Sequence, residues 1–124
     1  MKYLAAWAVI AGVVGTGCIV GGECTLIGCA DGVDITWSGA SSQDRGTLVA
    51  DGVTYAFDCA AAPSSTVWCT STGVRLQRTP TALRVDVVTP SGARSGTFSP
   101  RYTTSRPNGP DCDPVCRGAT VTVP

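Results

Sequence analysis

Seven cysteines constrain this chain more than any other feature of its sequence. The odd number leaves one thiol over, and in an oxidising compartment the other six favour three disulfides in a chain of this size. Such cross-links stabilise a domain that is too small to depend on its core alone. The residues that we predict to form these disulfides are Cys24, Cys29, Cys59, Cys69, Cys112 and Cys116.

The seventh cysteine, Cys18, directly follows a segment with the layout of an export signal. Met1-Lys2-Tyr3 carries the positive charge, and residues 4–14 (LAAWAVIAGVV) are apolar and uncharged. A permanent membrane-spanning helix needs roughly 20 apolar residues, so this run is too short to be one. The segment therefore predicts a helical signal peptide over residues 1–17 that is cleaved after export.

The end of this segment, Val14-Gly15-Thr16-Gly17-Cys18, resembles the lipobox of bacterial lipoproteins. The resemblance implies that Cys18 is the lipidation site, carries acyl chains such as palmitate, and becomes the first residue of the mature protein. Residues 18–23 then tether the domain to a membrane without a transmembrane helix. Ile19, rather than aspartate, follows the cysteine, which resembles lipoproteins of the outer membrane in hosts with two membranes. The alternative is a plain secreted protein with a spare thiol at Cys18.

Residues 24–124 are predicted to form one all-β domain, because short alternating segments and turn signals recur along them with no convincing helix. Seven or eight such segments predict an antiparallel β-sandwich stabilised by disulfides. The number and spacing of these predicted strands resemble those of immunoglobulin-like, fibronectin type III and prealbumin-like modules, and the resemblance extends to no other feature. Residues 105–117 hold three prolines and are predicted to form a loop. The predicted strands span residues 33–38, 47–50, 53–59, 66–69, 74–78, 83–87, 96–98 and 119–123.

The strongest local signal is Asp51-Gly52, which lies between two alternating segments. A two-residue Asp-Gly connection of this kind predicts a tight β-hairpin. Pairing Ala50 with Val53 places Leu48 opposite Tyr55. Alternate residues of the two strands then share one face of the hairpin, which we predict to face the core. The predicted core face comprises Leu48, Ala50, Val53, Tyr55, Phe57 and Cys59.

The pairing of the cysteines follows in part from their positions. Cys59 and Cys69 lie at strand ends around one connection, so they are predicted to pair. If the first and last strands are neighbours, Cys24 and Cys29 lie near Cys112 and Cys116 and cross-link to them. Local pairing within each couple remains the alternative, since sequence alone does not exclude it. Zinc is disfavoured because the chain has no histidine and a leader for export.

Few residues are available for catalysis or metal binding. The chain has no histidine, and its only lysine, Lys2, lies in the leader, so His-dependent triads and lysine dyads are excluded and no enzyme is predicted. Two aspartate couples remain as possible ligand-binding residues with oxygen donors that suit calcium. Turn chemistry is the favoured alternative for them, and no metal or cofactor is assigned. The couples are Asp31 with Asp34, and Asp111 with Asp113.

Two tryptophans follow the leader, and their strand parity differs. Trp37 shares the parity of Val33 and Ile35, which predicts core packing, whereas Trp68 is predicted on an outer face where it can contact a ligand. After Lys2 the chain holds eight arginines and nine acidic residues without a charged block, so no nucleic-acid partner is predicted. The sequence thus favours a lipid-anchored, non-catalytic binding or structural module with an envelope protein or polysaccharide as partner. The second hypothesis is a small disulfide-stapled inhibitor or ligand carrier, and an enzyme is third.

Overall fold

The computed structural model describes Cys24 and residues 26–124. The predicted signal peptide (residues 1–17), the predicted lipidation site Cys18 and the predicted tether lie outside the described residues. Within the part of the chain that is described, no helix is long and apolar enough to cross a membrane.

The described residues form an all-β sandwich of two sheets, which confirms the predicted fold class. The described residues form nine strands rather than seven or eight, because a three-residue strand pairs beside the last one where the sequence shows no alternation. One sheet has the order β4-β5-β1-β9-β8 and the other β3-β2-β6-β7. The strands are β1 Gly32–Thr36, β2 Arg45–Ala50, β3 Val53–Asp58, β4 Val67–Thr70, β5 Gly73–Leu76, β6 Leu83–Thr89, β7 Gly92–Phe98, β8 Thr103–Ser105 and β9 Cys116–Thr122.

The first and last strands are neighbours, and their pairing is parallel, whereas the other strand pairs are antiparallel. We call the end of the sandwich at which β1 and β9 begin the proximal end, and the opposite end the distal end. One hydrogen bond shows how the second sheet is aligned with the first. Asp44, which directly precedes β2, accepts this bond from the indole of Trp37, which directly follows β1. Strand β2 therefore begins at the distal end, and Asp51-Gly52 lies at the proximal end.

The β2–β3 hairpin has the predicted register, with Ala50 opposite Val53 and Leu48 opposite Tyr55. Asp51 (φ 48°) and Gly52 (φ 84°) both have positive φ, which is the backbone conformation of a two-residue type I′ turn. The prediction of the core face is wrong at one position, since Val53 is 53% exposed. Val53 is the first residue of β3, an edge strand, so no neighbouring strand covers it on that side.

The core lies between the two sheets and contains Trp37, as its parity predicts. Trp37 stacks on Phe57 of the opposite sheet, with ring centroids 6.0 Å apart. The Asp44 side chain is fully buried beside this pair and accepts hydrogen bonds from Trp37 Nε1 at 2.9 Å and from the Ser41 amide at 2.8 Å. The largest fully buried apolar side chains are Ile35, Leu48, Leu76, Leu83, Val33, Val74, Val85 and Val87.

Three disulfides cross-link the sandwich. At the proximal end Cys24 pairs with Cys112 and Cys29 pairs with Cys116, which is the long-range arrangement rather than the local alternative. At the distal end Cys59 pairs with Cys69, joining the two sheets. Three disulfides in so small a domain indicate an oxidising, extracytoplasmic compartment.

Candidate functional site

The aspartates predicted as possible ligands have structural partners in the fold. Asp34 forms an ion pair with Arg75 at 3.0 Å, and Asp31 accepts a hydrogen bond from the backbone amide of Arg117 at 2.7 Å. Asp111 and Asp113 are exposed on the proline-rich loop. Among the described residues, no group of three or more histidine, cysteine, aspartate or glutamate side chains is placed to hold a metal ion.

Trp68 lies on β4, at the edge of its sheet, and is half-buried rather than fully exposed. Its strand partner is Arg75, which in turn pairs with Asp34, so these three residues share the outer face of the sheet. Trp68 also lines a cavity that opens along the edge of the sandwich. The structure therefore places this candidate residue beside a concave surface, whereas the candidate aspartates do not line it.

This cavity, which we call the β3–β4 groove, lies where the edge strands of the two sheets meet. Its volume is about 400 Å³, within the lower part of the range found for small-molecule sites. The Cys59–Cys69 disulfide joins its two walls, which fixes the distance between the strands. The lining residues are Ala56, Phe57, Asp58, Cys59, Ala61, Ala62, Pro63, Ser64, Val67, Trp68 and Cys69.

The connection that borders the groove is held at both of its ends. At the start, the Asp58 carboxylate accepts a hydrogen bond from the Ala60 amide at 2.9 Å. At the end, the Ser64 hydroxyl donates to the Val67 carbonyl and accepts from the Val67 amide, both at 2.9 Å. Serine and aspartate make such local hydrogen bonds readily in turns. The groove is therefore bounded by an ordered turn rather than by an unpinned loop.

The chemistry of the groove suits noncovalent contact. Six of its eleven lining residues are alanine, proline or aromatic, polar and apolar atoms contribute nearly equally to its surface, and both cysteines are in a disulfide. Asp58 is the one ionisable side chain among the lining residues, all of which are described, and it already caps a turn. A nucleophile activated by an adjacent base would need two such groups within hydrogen-bond reach. The groove can thus hold an apolar or flat surface and one donor group.

Asp44 connects the groove to the core. Its carboxylate binds the indole of Trp37, and its backbone carbonyl accepts a hydrogen bond from the Cys59 amide at 2.9 Å. Asp44 falls between the predicted strands 33–38 and 47–50, and the sequence gives no sign of its burial, because its partners Trp37 and Cys59 become its neighbours only in the fold. The groove was also missed, although Cys59, Pro63 and Cys69 mark its borders in the sequence. No protein-family model, curated protein or solved structure matches the chain.

Proposed function

We propose that the chain is a lipid-anchored, non-catalytic binding module of the cell envelope, with the β3–β4 groove as its contact surface. The observation that carries this proposal is an aromatic, disulfide-pinned groove at the meeting edges of two sheets. The lipid anchor at Cys18 comes from the leader, whose final residues resemble a lipobox. The acyl chains lie in the outer membrane if the host has two membranes.

The partner that we propose is an extended segment of an envelope protein. Strand β3 is an edge strand, so the outer side of its backbone has no strand partner among the described residues. Extended peptides bind such edges by main-chain hydrogen bonds, and pockets beside the edge then select side chains. Phe57, Pro63 and Trp68 offer such an apolar pocket directly beside β3. An envelope polysaccharide stacked on Trp68 is the competing ligand.

The anchor is tested by the intact mass of the protein from the membrane fraction, with and without reduction and alkylation. We expect a species that begins at Cys18, carries acyl groups, and takes up six alkyl groups only after reduction. Cys18→Ala removes the acyl-accepting thiol, so this variant should carry no acyl mass. A membrane-bound protein without added acyl mass contradicts the anchor.

The groove is tested by a photoreactive side chain introduced at Ala62, which lines it and is exposed. The matched control carries the same group at Thr97, which is exposed on β7. Strands β7 and β3 are the two opposite edges of the four-stranded sheet. We expect crosslinks to an envelope protein from position 62 and none from position 97. Trp68→Ala should weaken binding of that protein about tenfold or more, as loss of an aromatic anchor does.

Different results from this experiment would identify the competing ligand or reject the groove. Crosslinks to polysaccharide from position 62 would assign the groove to glycan rather than protein. Equal crosslinking from Ala62 and Thr97, or binding unchanged by Trp68→Ala, would show that the groove is not the contact surface.

A second candidate function follows from the proline-rich loop at the proximal end. The Asn108 side chain is buried, accepts a hydrogen bond from the Ile27 amide and donates to the carbonyls of Ile27 and Asp113. Disulfides also hold Cys112 and Cys116, and cross-linking of this kind preorganises a loop for insertion into a partner. A protease-inhibition screen tests this candidate: inhibition abolished by changes within residues 107–113 would favour it over the binding module.

A further inference from the structure

Most of the exposed large apolar side chains of the described residues lie at one end of the sandwich. The exposed fractions are 101% for Leu26, 55% for Ile27, 53% for Val53, 46% for Val88 and 41% for Val115. Val88 pairs with Arg45 at the start of β2, which places it at the distal end. The other four belong to segments at the proximal end. Scattered single apolar residues need no explanation, but a concentration at one end indicates a contact surface.

The fold holds these side chains in place at the proximal end. Ile27 is fixed by reciprocal hydrogen bonds, since its amide donates to Asn108 Oδ1 and its carbonyl accepts from Asn108 Nδ2, each at 2.8 Å. Val115 directly precedes Cys116, whose disulfide to Cys29 ties the same two segments together. Val53 follows the Asp51-Gly52 turn at the start of β3. The apolar groups are thus presented by cross-linked backbone.

The charges at the proximal end cancel. Among the described residues, four arginines and four aspartates lie on the segments that form this end, so the formal sum of these charges is zero. A surface of this kind neither requires nor repels an anionic partner, and it suits a zwitterionic one. These residues are Asp31, Asp51, Asp111, Asp113, Arg78, Arg101, Arg106 and Arg117.

The chain outside the described residues leads to this same end. Cys24 comes six positions after Cys18, and a fully extended chain covers at most about 3.6 Å per residue, so the lipidated cysteine is within about 22 Å of Cys24. Cys24 is held at the proximal end by its disulfide to Cys112. A domain anchored through Cys18 therefore keeps its proximal end within reach of the headgroup layer.

We propose that the proximal end docks on the surface of the bilayer that holds the acyl chains, with Leu26, Ile27, Val53 and Val115 in the zwitterionic headgroup layer. This proposal rests on the lipid anchor of the proposed function. Interfacial apolar side chains of this kind enter the boundary between headgroups and acyl chains by about 5–10 Å. The β3–β4 groove, which opens along the edge of the sandwich beside the distal disulfide, contains none of these four residues and stays accessible to partners.

The test uses the mature protein purified from the membrane fraction and reconstituted in phosphatidylcholine vesicles, with or without bromine on the acyl chains as a short-range quencher. Leu26→Trp places a tryptophan in the proposed contact, and Val88→Trp is the matched control at the distal end. Cleavage at Cys18 removes Trp7, so each variant has three tryptophans. We expect brominated vesicles to remove the emission of the added tryptophan in Leu26→Trp and to leave Val88→Trp no more quenched than the wild-type protein.

Flotation of the vesicles separates failure of the docking from failure of the anchor. Protein that floats with the vesicles while Leu26→Trp is quenched no more than Val88→Trp would overturn the docking and leave the anchor standing. Protein that does not float would overturn the anchor and the docking together. Adding phosphatidylglycerol should leave the quenching of Leu26→Trp unchanged, and a strong dependence on this anionic lipid would contradict the charge balance at the proximal end.

Discussion

Removing the buried carboxylate of Asp44 is the perturbation whose cost the structure defines best. In Asp44→Ala, the indole N–H of Trp37 loses its acceptor inside the core, where water does not replace it. An unsatisfied buried donor costs about 1–3 kcal/mol, so we take about 2 kcal/mol for Trp37 and about 1 kcal/mol for the part-buried Ser41 amide. The Ser41 hydroxyl is free to turn to solvent and adds little. The expected loss is about 3 kcal/mol.

Two further variants separate the hydrogen bonds from the charge. Asp44→Asn retains one oxygen for the Trp37 and Ser41 donors and places its amide toward the Ser41 hydroxyl, so it should cost about 1 kcal/mol. Trp37→Phe removes the donor itself, so the loss caused by Asp44→Ala should be about 2 kcal/mol smaller in that background.

The measurement is guanidinium chloride unfolding with the disulfides intact, monitored by circular dichroism. The dependence of the unfolding free energy on denaturant concentration should have the same slope in all variants, so that a shift in midpoint reports a change in stability. A domain of this size has a total stability of about 5–15 kcal/mol, so a loss of about 3 kcal/mol leaves it folded and measurable. The assignment of Asp44 as the acceptor that satisfies the core indole would be refuted by a cost for Asp44→Ala below about 1 kcal/mol. It would also be refuted if Asp44→Ala cost the same in the Trp37→Phe variant as in the wild-type protein.

Two further predictions concern the disulfides and the response to high pH. Removing one proximal disulfide, by Cys24→Ser/Cys112→Ser or Cys29→Ser/Cys116→Ser, should cost about 3 kcal/mol, because the other still closes nearly the same loop and only a ring of about 11 residues opens. Removing the second proximal disulfide as well should cost about a further 4.5 kcal/mol, because the long loop then opens. Equal losses of unfolding free energy for the first and the second removal, measured in denaturant, would contradict this difference. Burial raises the pKa of Tyr102 above its ordinary value of 10, so the folded state holds this proton more tightly than the unfolded chain does. Its contribution to stability is complete below about pH 10 and is lost as the pH rises further, so Tyr102→Phe should show a shallower decline in unfolding midpoint than the wild-type protein.

The features that were predictable from the sequence are the local ones. The Asp51-Gly52 turn fixes the register of the two strands beside it, so the pairing of Leu48 with Tyr55 follows from a few adjacent residues. The disulfide between Cys59 and Cys69 is predictable for the same reason, since few residues separate the two. Parity also places Trp37 in the core.

The features that were not predictable depend on which segments meet in space. The parallel pairing of β1 with β9 joins opposite ends of the domain, and no local signal sets its direction. Strand β8 has three residues, all polar, so it shows no alternation of apolar and polar residues in the sequence. The β3–β4 groove is formed by edge strands of different sheets, so its volume depends on the packing of the sheets rather than on either strand. Val53 is exposed for a related reason. Its position in the strand alternation is that of a core residue, but it lies at the start of an edge strand and is left uncovered.

The parallel contact between β1 and β9 has a consequence for the order of events during export. A chain that crosses a membrane unfolded presents β1 first and β9 last, and closing so long a loop carries a large entropic cost before any native contact repays it. The two proximal disulfides span 88 and 87 residues and become possible at the same late moment. The sheet that contains β1 is therefore completed, and cross-linked at the proximal end, only after β9 has emerged.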